Sequence, residues 1–319
     1  MPSYTLNWND LNSATAINVI DKSVPDQIFA DTILMLKLKE QAEYIDGGED
    51  FTVPVEYGKS KTGTYEKFET HDVEASERFT TARFTLGQYY SYITIAQDDF
   101  DKNNGSPKIF DLVEKSWMNA MNTLEEDISD DLYRDGVTSV TGSKCIVGLK
   151  AAVAIDPTTG TYGAIDRSTA SWWRNKTWDY SAVGAIANFD QYDVNKFLLQ
   201  INGRKDRVNL IVTTKDIWNQ LYEKADAAMR MPWKTAYEIG VQSLTIGGVP
   251  VIYDESVTAG YCYFLNTDYL RFIIAKNNNF KASNWLIDKG QFAQTKYLTT
   301  SMQLICTKPR RQGVIFNID

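Results

Sequence analysis

The stretch Ser106–Gly136, SPKIFDLVEKSWMNAMNTLEEDISDDLYRDG, constrains this chain more than any other. Ser106 is suited to cap a helix, and Pro107 sits where its missing N–H costs nothing. Gly136 offers the left-handed residue that commonly closes one. Between them Ile109, Val113, Trp117, Ala120, Met121, Leu124, Ile128 and Leu132 recur three or four apart and share one face. A helix over the whole stretch would be roughly 40 Å long. The opposite face carries Asp111, Glu114, Glu125, Glu126, Asp127, Asp130 and Asp131, which reads as a wetted side. The spacing predicts a spine with strands from before and after it laid along its apolar face.

With 319 residues the chain exceeds what one hydrophobic core usually serves, so two domains or long extensions are expected. A net charge of −8 argues against nucleic-acid binding through a basic surface. Aromatic residues reach 13%, and such side chains favour interfaces as well as cores. No apolar run approaches the ~20 residues that span a bilayer, and MPSYTLNWND lacks the parts of a secretory signal. Cys145, Cys262 and Cys306 are widely spaced and odd in number, and read as reduced, small apolar residues of a cytoplasmic product.

Residues 1–24 commit to neither helix nor strand and read as an extended arm, followed from Pro25 by a short helix ending near Gly47-Gly48. Phe51–Tyr57 is strand-like, with Pro54 confining it to an edge or an isolated ribbon. A polar turn follows, then the alternating run Glu77–Leu86 and the extended Tyr89–Ile95. These predict one long two-stranded hairpin, which is marginal alone and needs a neighbour to lie on; a second copy of the chain would serve. Beyond the spine, Leu149–Ile155 reads as a short helix or strand and Ser171–Trp178 as an aromatic-basic cluster. Phe189–Ile201 is an amphipathic helix, Arg207–Thr213 a buried strand, and Thr214 caps a further helix. That alternation predicts an α/β lobe. Residues 230–240 read as a loop around Pro232-Trp233, and the remainder is β-rich.

This order of parts, with the phrases GAIDRSTASWWRNKTW (163–178), TIGGVPVIYDESV (245–257) and the terminal KPRRQGVIFNID, resembles the major capsid proteins of tailed bacteriophages, the Hong Kong ninety-seven-like fold family. The resemblance implies an α+β subunit with an N-terminal arm, an extended β-hairpin loop, a long spine helix with a peripheral β-sheet, and an α/β axial domain. In those terms 1–48 is the arm and short helix and 49–92 the extended loop. Residues 93–145 form the peripheral domain with the spine, 146–274 the axial domain, and 275–319 strands returning to the peripheral domain. It further implies a structural protein of the virion, assembled in the host cytoplasm into hexamers and pentamers of an icosahedral shell. The partners implied are further copies of itself, scaffolding, portal and decoration proteins, and packaged double-stranded DNA held without sequence preference, with no membrane. Inter-subunit contacts are expected at Lys59, Lys61, Tyr65, Phe68, Trp172, Trp173 and Trp233. Some relatives join subunits by a lysine–asparagine isopeptide bond, and Lys59, Lys61 and Lys67 lie in the matching region. An encapsulin-type nanocompartment shell is the rival within the fold; an enzyme on an α/β plus β scaffold is the rival outside it.

The residues supply little chemistry of their own. The single histidine, His71, sits in the polar turn, so there is no Ser-His-Asp set and no ordinary zinc site. Gly58-Lys59-Ser60 ends like a P-loop, but Val53 stands where the first glycine belongs. Gly247-Gly248 reads as a hairpin turn and Lys308–Arg311 as a strand connection. The acidic residues Glu125, Glu126, Asp127, Asp130 and Asp131 read as a solvated face rather than a cation site. No catalytic residue, cofactor or metal is expected, and the protein reads as a non-enzyme.

Overall fold

The computed structural model describes residues 33–48, 50–68, 77–98, 112–136, 144–181, 189–225, 244–287, 290 and 292–318. Helix α1 (Ile33–Glu40) seats Leu34, Met35 and Leu38 in the core and leads to strand β1 (Glu43–Ile45). Strands β2 (Asp50–Glu56) and β3 (Phe79–Thr85) form an antiparallel hairpin, with Asp50 opposite Thr85 and Glu56 opposite Phe79. Strand β4 (Gly87–Ala96) follows directly.

The spine is helix α2 (Leu112–Asp131). Leu124 and Ile128, one turn apart, are 2% and 0% exposed, as the apolar stripe requires. The proposed caps Ser106 and Pro107 lie outside the described residues. At its other end the helix tightens into i→i+3 turns, Tyr133 N–H to Asp130 O and Arg134 N–H to Asp131 O, both 3.1 Å. Gly136 does take a left-handed φ of 81°, but beyond those turns rather than at the helix end. The wetted face needs one correction. Asp131 is fully buried, where the Tyr89 hydroxyl donates to its Oδ2 at 2.9 Å.

After α2 come helix α3 (Leu149–Ala152), the ribbon β5 (Thr161–Tyr162) and β6 (Ile165–Asp166), strand β7 (Lys176–Asp179), helix α4 (Gln191–Ile201), strand β8 (Leu210–Thr213) and helix α5 (Lys215–Lys224). Asp190 caps α4 by accepting from the N–H groups of Tyr192 and Asp193. Strands β9 (Leu244–Ile246) and β10 (Val249–Tyr253) are joined by Gly247-Gly248. Both glycines have positive φ, as a two-residue hairpin turn of the primed type demands. Strands β11 (Cys262–Leu265), β12 (Leu270–Ala275), β13 (Lys281–Ala282), β14 (Leu286–Ile287), β15 (Ala293–Cys306) and β16 (Gly313–Phe316) complete the chain.

Two six-stranded sheets organise these elements. In the first, the long β15 pairs antiparallel with β4 on one side and with β14, β13 and β12 on the other; β1 adds parallel to β12. Helix α2 packs against β4, whose Tyr89, Ile93 and Ile95 alternate with exposed Tyr90 and Tyr92. The second sheet has the order β7-β16-β11-β8-β10-β9, and its central strands β8 and β11 are buried on both faces. Leu210 and Val212 of β8 join the core that contains α1, α2 and the first sheet, while Ile211 joins a second core under α4 and α5. Period-two alternation thus sends one strand into two cores.

Two boundaries differ from the sequence reading. The hairpin ends at Thr85 rather than 92, because Gly87–Ala96 leaves it to pair with Met302–Ala293. Gly87 permits the crossing: a Cβ there would stand 2.8 Å from the Cys145 carbonyl carbon. The closing segment also divides. Strands β13 to β15 lie in the first sheet, joined by the earlier β12, but β16 enters the second sheet between β7 and β11. The Lys308–Arg311 segment connects the sheets, anchored on Asp206 through the Lys308 ammonium at 2.5 Å and the Arg311 guanidinium at 3.4 Å. The bond from Lys308, with help from the Tyr269 hydroxyl, holds the Asp206 carboxyl below its usual range. All three cysteines are buried thiols outside any disulfide, and burial pushes the Cys262 and Cys306 thiols up to about 12.

Candidate assembly interface

The β2–β3 hairpin is fixed by the chain itself rather than left for a neighbour to support, with Val55, Ala82 and Phe84 of its inner face in the main core. Arg83 N–H donates to Gly163 O at 3.0 Å, and Phe84 meets Tyr162 edge-on at 5.3 Å. Tyr57, at the far end of β2, stacks on Trp172 with ring centroids 4.9 Å apart and planes 17° from parallel. Gln303 of β15 binds the crossing point: its Nε2 donates to Thr85 O and its Oε1 accepts from Val147 N–H, both at 2.9 Å. Gly163 is required here, because its φ is 59° and a Cβ would lie 2.7 Å from the Phe84 ring.

Beyond Tyr57 the chain turns outward. Lys59, Lys61, Tyr65, Lys67 and Phe68 are all exposed, and Phe68 takes a left-handed φ of 67°. Trp172 is half-buried, with one face occupied by Tyr57. Trp173 is not available: it is 1% exposed, and its indole N–H donates to Tyr162 O at 3.0 Å. Adjacent aromatics on a 3-10 turn cannot both face out, and the core takes the second. Trp233 and His71 lie outside the described residues.

Several residues that matter to this surface were not singled out from sequence. Tyr90, Tyr92 and Tyr297 form an exposed aromatic patch on the first sheet, with Tyr92 directly opposite Tyr297 and their rings 6.1 Å apart. The alternation Gln88–Ala96 was a signal that could have found two of them. On the same strand, Lys296 lies over the rings of Trp117 and Trp285 at 4.7 and 5.7 Å. The spine's acidic side is partly engaged as well. Lys39 pairs with Glu125 at 2.9 Å, and burial, with Asp131 and Glu126 nearby, raises the Asp127 carboxyl. Among the described residues no group of His, Cys, Asp and Glu could hold a metal ion, and no helix is long and apolar enough to cross a membrane.

The exposed aromatics and lysines of the tip and of the first sheet make a surface suited to contact. Solved structures agree on the fold. The chain superposes on the cyanophage A-1(L) capsid subunit with a TM-score of 0.74 and 17% identity, over 95% of this chain and 97% of that one. The capsid of a native GTA particle matches with a TM-score of 0.61 and 14% identity, over 96% and 99%. The holo-SrpI encapsulin of Synechococcus elongatus matches with a TM-score of 0.61 and 11% identity, over 97% and 95%. No family model and no curated protein matches the sequence. The chain has the fold of tailed-phage major capsid proteins over 95% of its length.

Proposed function

We propose that this protein is a shell-forming structural subunit, the major capsid protein of a tailed bacteriophage. The observation that carries the reading is the full-length correspondence with the cyanophage capsid subunit, in which both chains are covered almost completely. In this role the subunit assembles with itself into hexamers and pentamers of an icosahedral shell in the host cytoplasm and becomes part of the virion. Scaffolding, portal and decoration proteins are its further partners. Lys59, Lys61, Tyr65, Phe68 and the open face of Trp172 contact neighbouring subunits.

Packaged double-stranded DNA would be enclosed rather than gripped. A net charge of −8 gives little counterion-release affinity, so contacts to the genome carry no sequence preference. The protein acts as a container and not as an enzyme.

The encapsulin match supports a second reading, a nanocompartment shell with a protein cargo. Expressing the chain and imaging the product by negative stain tests the common part: closed particles are expected, and a monodisperse small species overturns it. The contents of particles purified from the native source separate the two readings. Nuclease-protected double-stranded DNA supports the phage capsid; a single co-purifying enzyme supports the nanocompartment.

A further inference from the structure

The Lys308–Arg311 connection does more than join the two sheets, because it is held against the loop that follows α4. Together, residues 203–207 (GRKDR) and 308–311 (KPRR) carry six basic side chains and one carboxylate, in a chain of net charge −8. Asp206 staples the two turns, with the Lys308 ammonium, the Arg311 guanidinium and the Tyr269 hydroxyl all upon it. Arg311 also donates from Nη1 to the carbonyl of Ile201, the last residue of α4, at 2.7 Å. Gly203 admits that arm, since a Cβ there would overlap the guanidinium. The Lys308 ammonium lies over the Tyr269 ring, 4.6 Å from its centroid.

The staple leaves four cations over. The loop is closed at its base by Gly203 N–H to Asp206 O at 2.8 Å and Val208 N–H to Asn202 Oδ1 at 2.9 Å, which sets Arg204 and Lys205 at its bend. Arg207 follows the bend, and Arg310 stands in the middle of the Pro309–Arg311 3-10 turn. All four are exposed, and among the described residues none of the four has an ion pair or a side-chain hydrogen bond. Elsewhere the chain pairs exposed cations, Lys215 with Glu255, Arg271 with Glu43 and Lys276 with Asp46. Asp268, beside Tyr269, is answered by the Lys37 ammonium and the Asn209 amide. Like charges fixed on two stapled turns repel one another, and a bound polyanion relieves that.

The chemistry of the patch selects its partner. It offers donors and positive charge without a spare acceptor, because three donors already occupy Asp206, so the partner is anionic and rich in acceptors. It offers no apolar surface either: Pro309 is buried, and no other residue of the two turns has an apolar side chain. Protein interfaces keep charge out of their centres and fill them with aromatic and apolar groups, whereas nucleic-acid interfaces are built on cations. That favours phosphates over the carboxylates of a protein. The neighbouring amides cannot read bases, since Asn209 is spent on Thr267, Gln312 on Asn266, and Asn202 Oδ1 on the Val208 N–H.

We propose that these two stapled turns form a phosphate-contact patch for enclosed nucleic acid, touching its backbone without reading its sequence. The source of that nucleic acid rests on the shell-subunit reading, to which the patch adds a cationic foothold on each acidic subunit. Four cations hold weakly alone, so retention depends on many copies lining one shell.

Fluorescence anisotropy of the purified protein with a mixed-sequence DNA duplex tests the patch. The duplex should bind at low salt, with a log–log salt slope of roughly −4, about one unit for each phosphate neutralised. Arg204→Ser with Arg310→Ser takes one exposed cation from each turn and no bond from the fold. This pair should weaken binding about tenfold or more and flatten the slope by about two. Lys144→Ser with Lys281→Ser removes the same charge from exposed sites elsewhere and should leave both unchanged. Equal losses from the two double variants overturn the patch, as does a wild-type protein that binds no duplex at low salt. Polyglutamate that displaces the duplex as readily as unlabelled duplex does would assign the patch to an acidic protein surface, and also overturns it. Particles from a protein whose Arg204→Ser, Arg310→Ser variant binds DNA like wild type overturn the patch and leave the shell reading standing. Patch-dependent binding in a protein that never forms particles upholds the patch and overturns the shell reading.

Discussion

The Tyr133 hydroxyl donates a 2.7 Å hydrogen bond to Oδ2 of Asp254, and both side chains are buried. Tyr133 lies in the turn that ends the spine helix and Asp254 follows β10, so the bond ties the helix packed on the first sheet to the second sheet. Burial raises the Asp254 carboxyl above its ordinary range, with Asp130 and Glu255 adding to the effect, while Tyr133 and the Ser256 N–H oppose it.

An acid raised in the folded state contributes stability that is complete below its unfolded value, about 3.9, and is lost as pH rises through its folded value. Tyr133→Phe should therefore cost about 1–3 kcal/mol at neutral pH, the usual penalty for depriving a buried acceptor of its donor, and less near pH 4. Asp254→Asn should flatten this part of the profile. Melting temperatures from about pH 3 to about pH 8, a window that contains the unfolded value, check both. A Tyr133→Phe penalty that grows on acidification contradicts the account.

The spine depends on its apolar stripe. Leu124→Ala should cost about 2–5 kcal/mol through lost transfer energy and the cavity left behind. Leu124→Asp should be worse, since it buries an unpaired charge. Glu126→Ala should change stability by only a few tenths of a kcal/mol, and Glu125→Gln by about 0–1 kcal/mol, because its bond to Lys39 is half exposed. Denaturant titration of the four variants gives the ranking, and equal stability of Leu124→Asp and Glu126→Ala would refute the packing.

Gly163 and Gly160 form a matched pair. Both have positive φ, but a Cβ at Gly160 meets nothing within 4 Å, whereas at Gly163 it strikes Phe84. Each alanine substitution should cost roughly 1–2 kcal/mol for the left-handed backbone. Gly163→Ala should cost more, by displacing the ring that seats the hairpin. Comparing the two melting temperatures isolates that excess, and equal losses would show that the ribbon does not hold the hairpin.

Deleting residues 58–69 should leave a folded subunit, since the clamp formed by Tyr57, Trp172, Phe84 and Tyr162 lies outside the deletion. Particle yield should fall sharply while the melting temperature stays near wild type. Loss of folding would contradict a purely inter-subunit role for the tip.

What was legible in the sequence was local. The spine stripe, the Gly247-Gly248 turn and the helix preceding Asn202 each follow from residues within a turn or two of one another. What was hidden depends on distant partners. Asp131 looks like its acidic neighbours until Tyr89, far back in the chain, is seen to donate to it. Trp172 and Trp173 are indistinguishable as residue types, and only the position of Tyr162 decides which is buried. The end of the hairpin at Thr85 depends on β15, which no local pattern announces. The tip lysines and aromatics were legible as exposed.

The register of β15 also sets an order of events during synthesis. Strand β15 is the common partner of β4, β12, β13 and β14, and β16 is wedged between β7 and β11; both lie beyond residue 292. Neither sheet can close until the residues beyond 292 have left the ribosome. A nascent chain thus carries its spine helix and β4 long before the strand that completes their sheet, and a chain cut before residue 292 closes neither sheet.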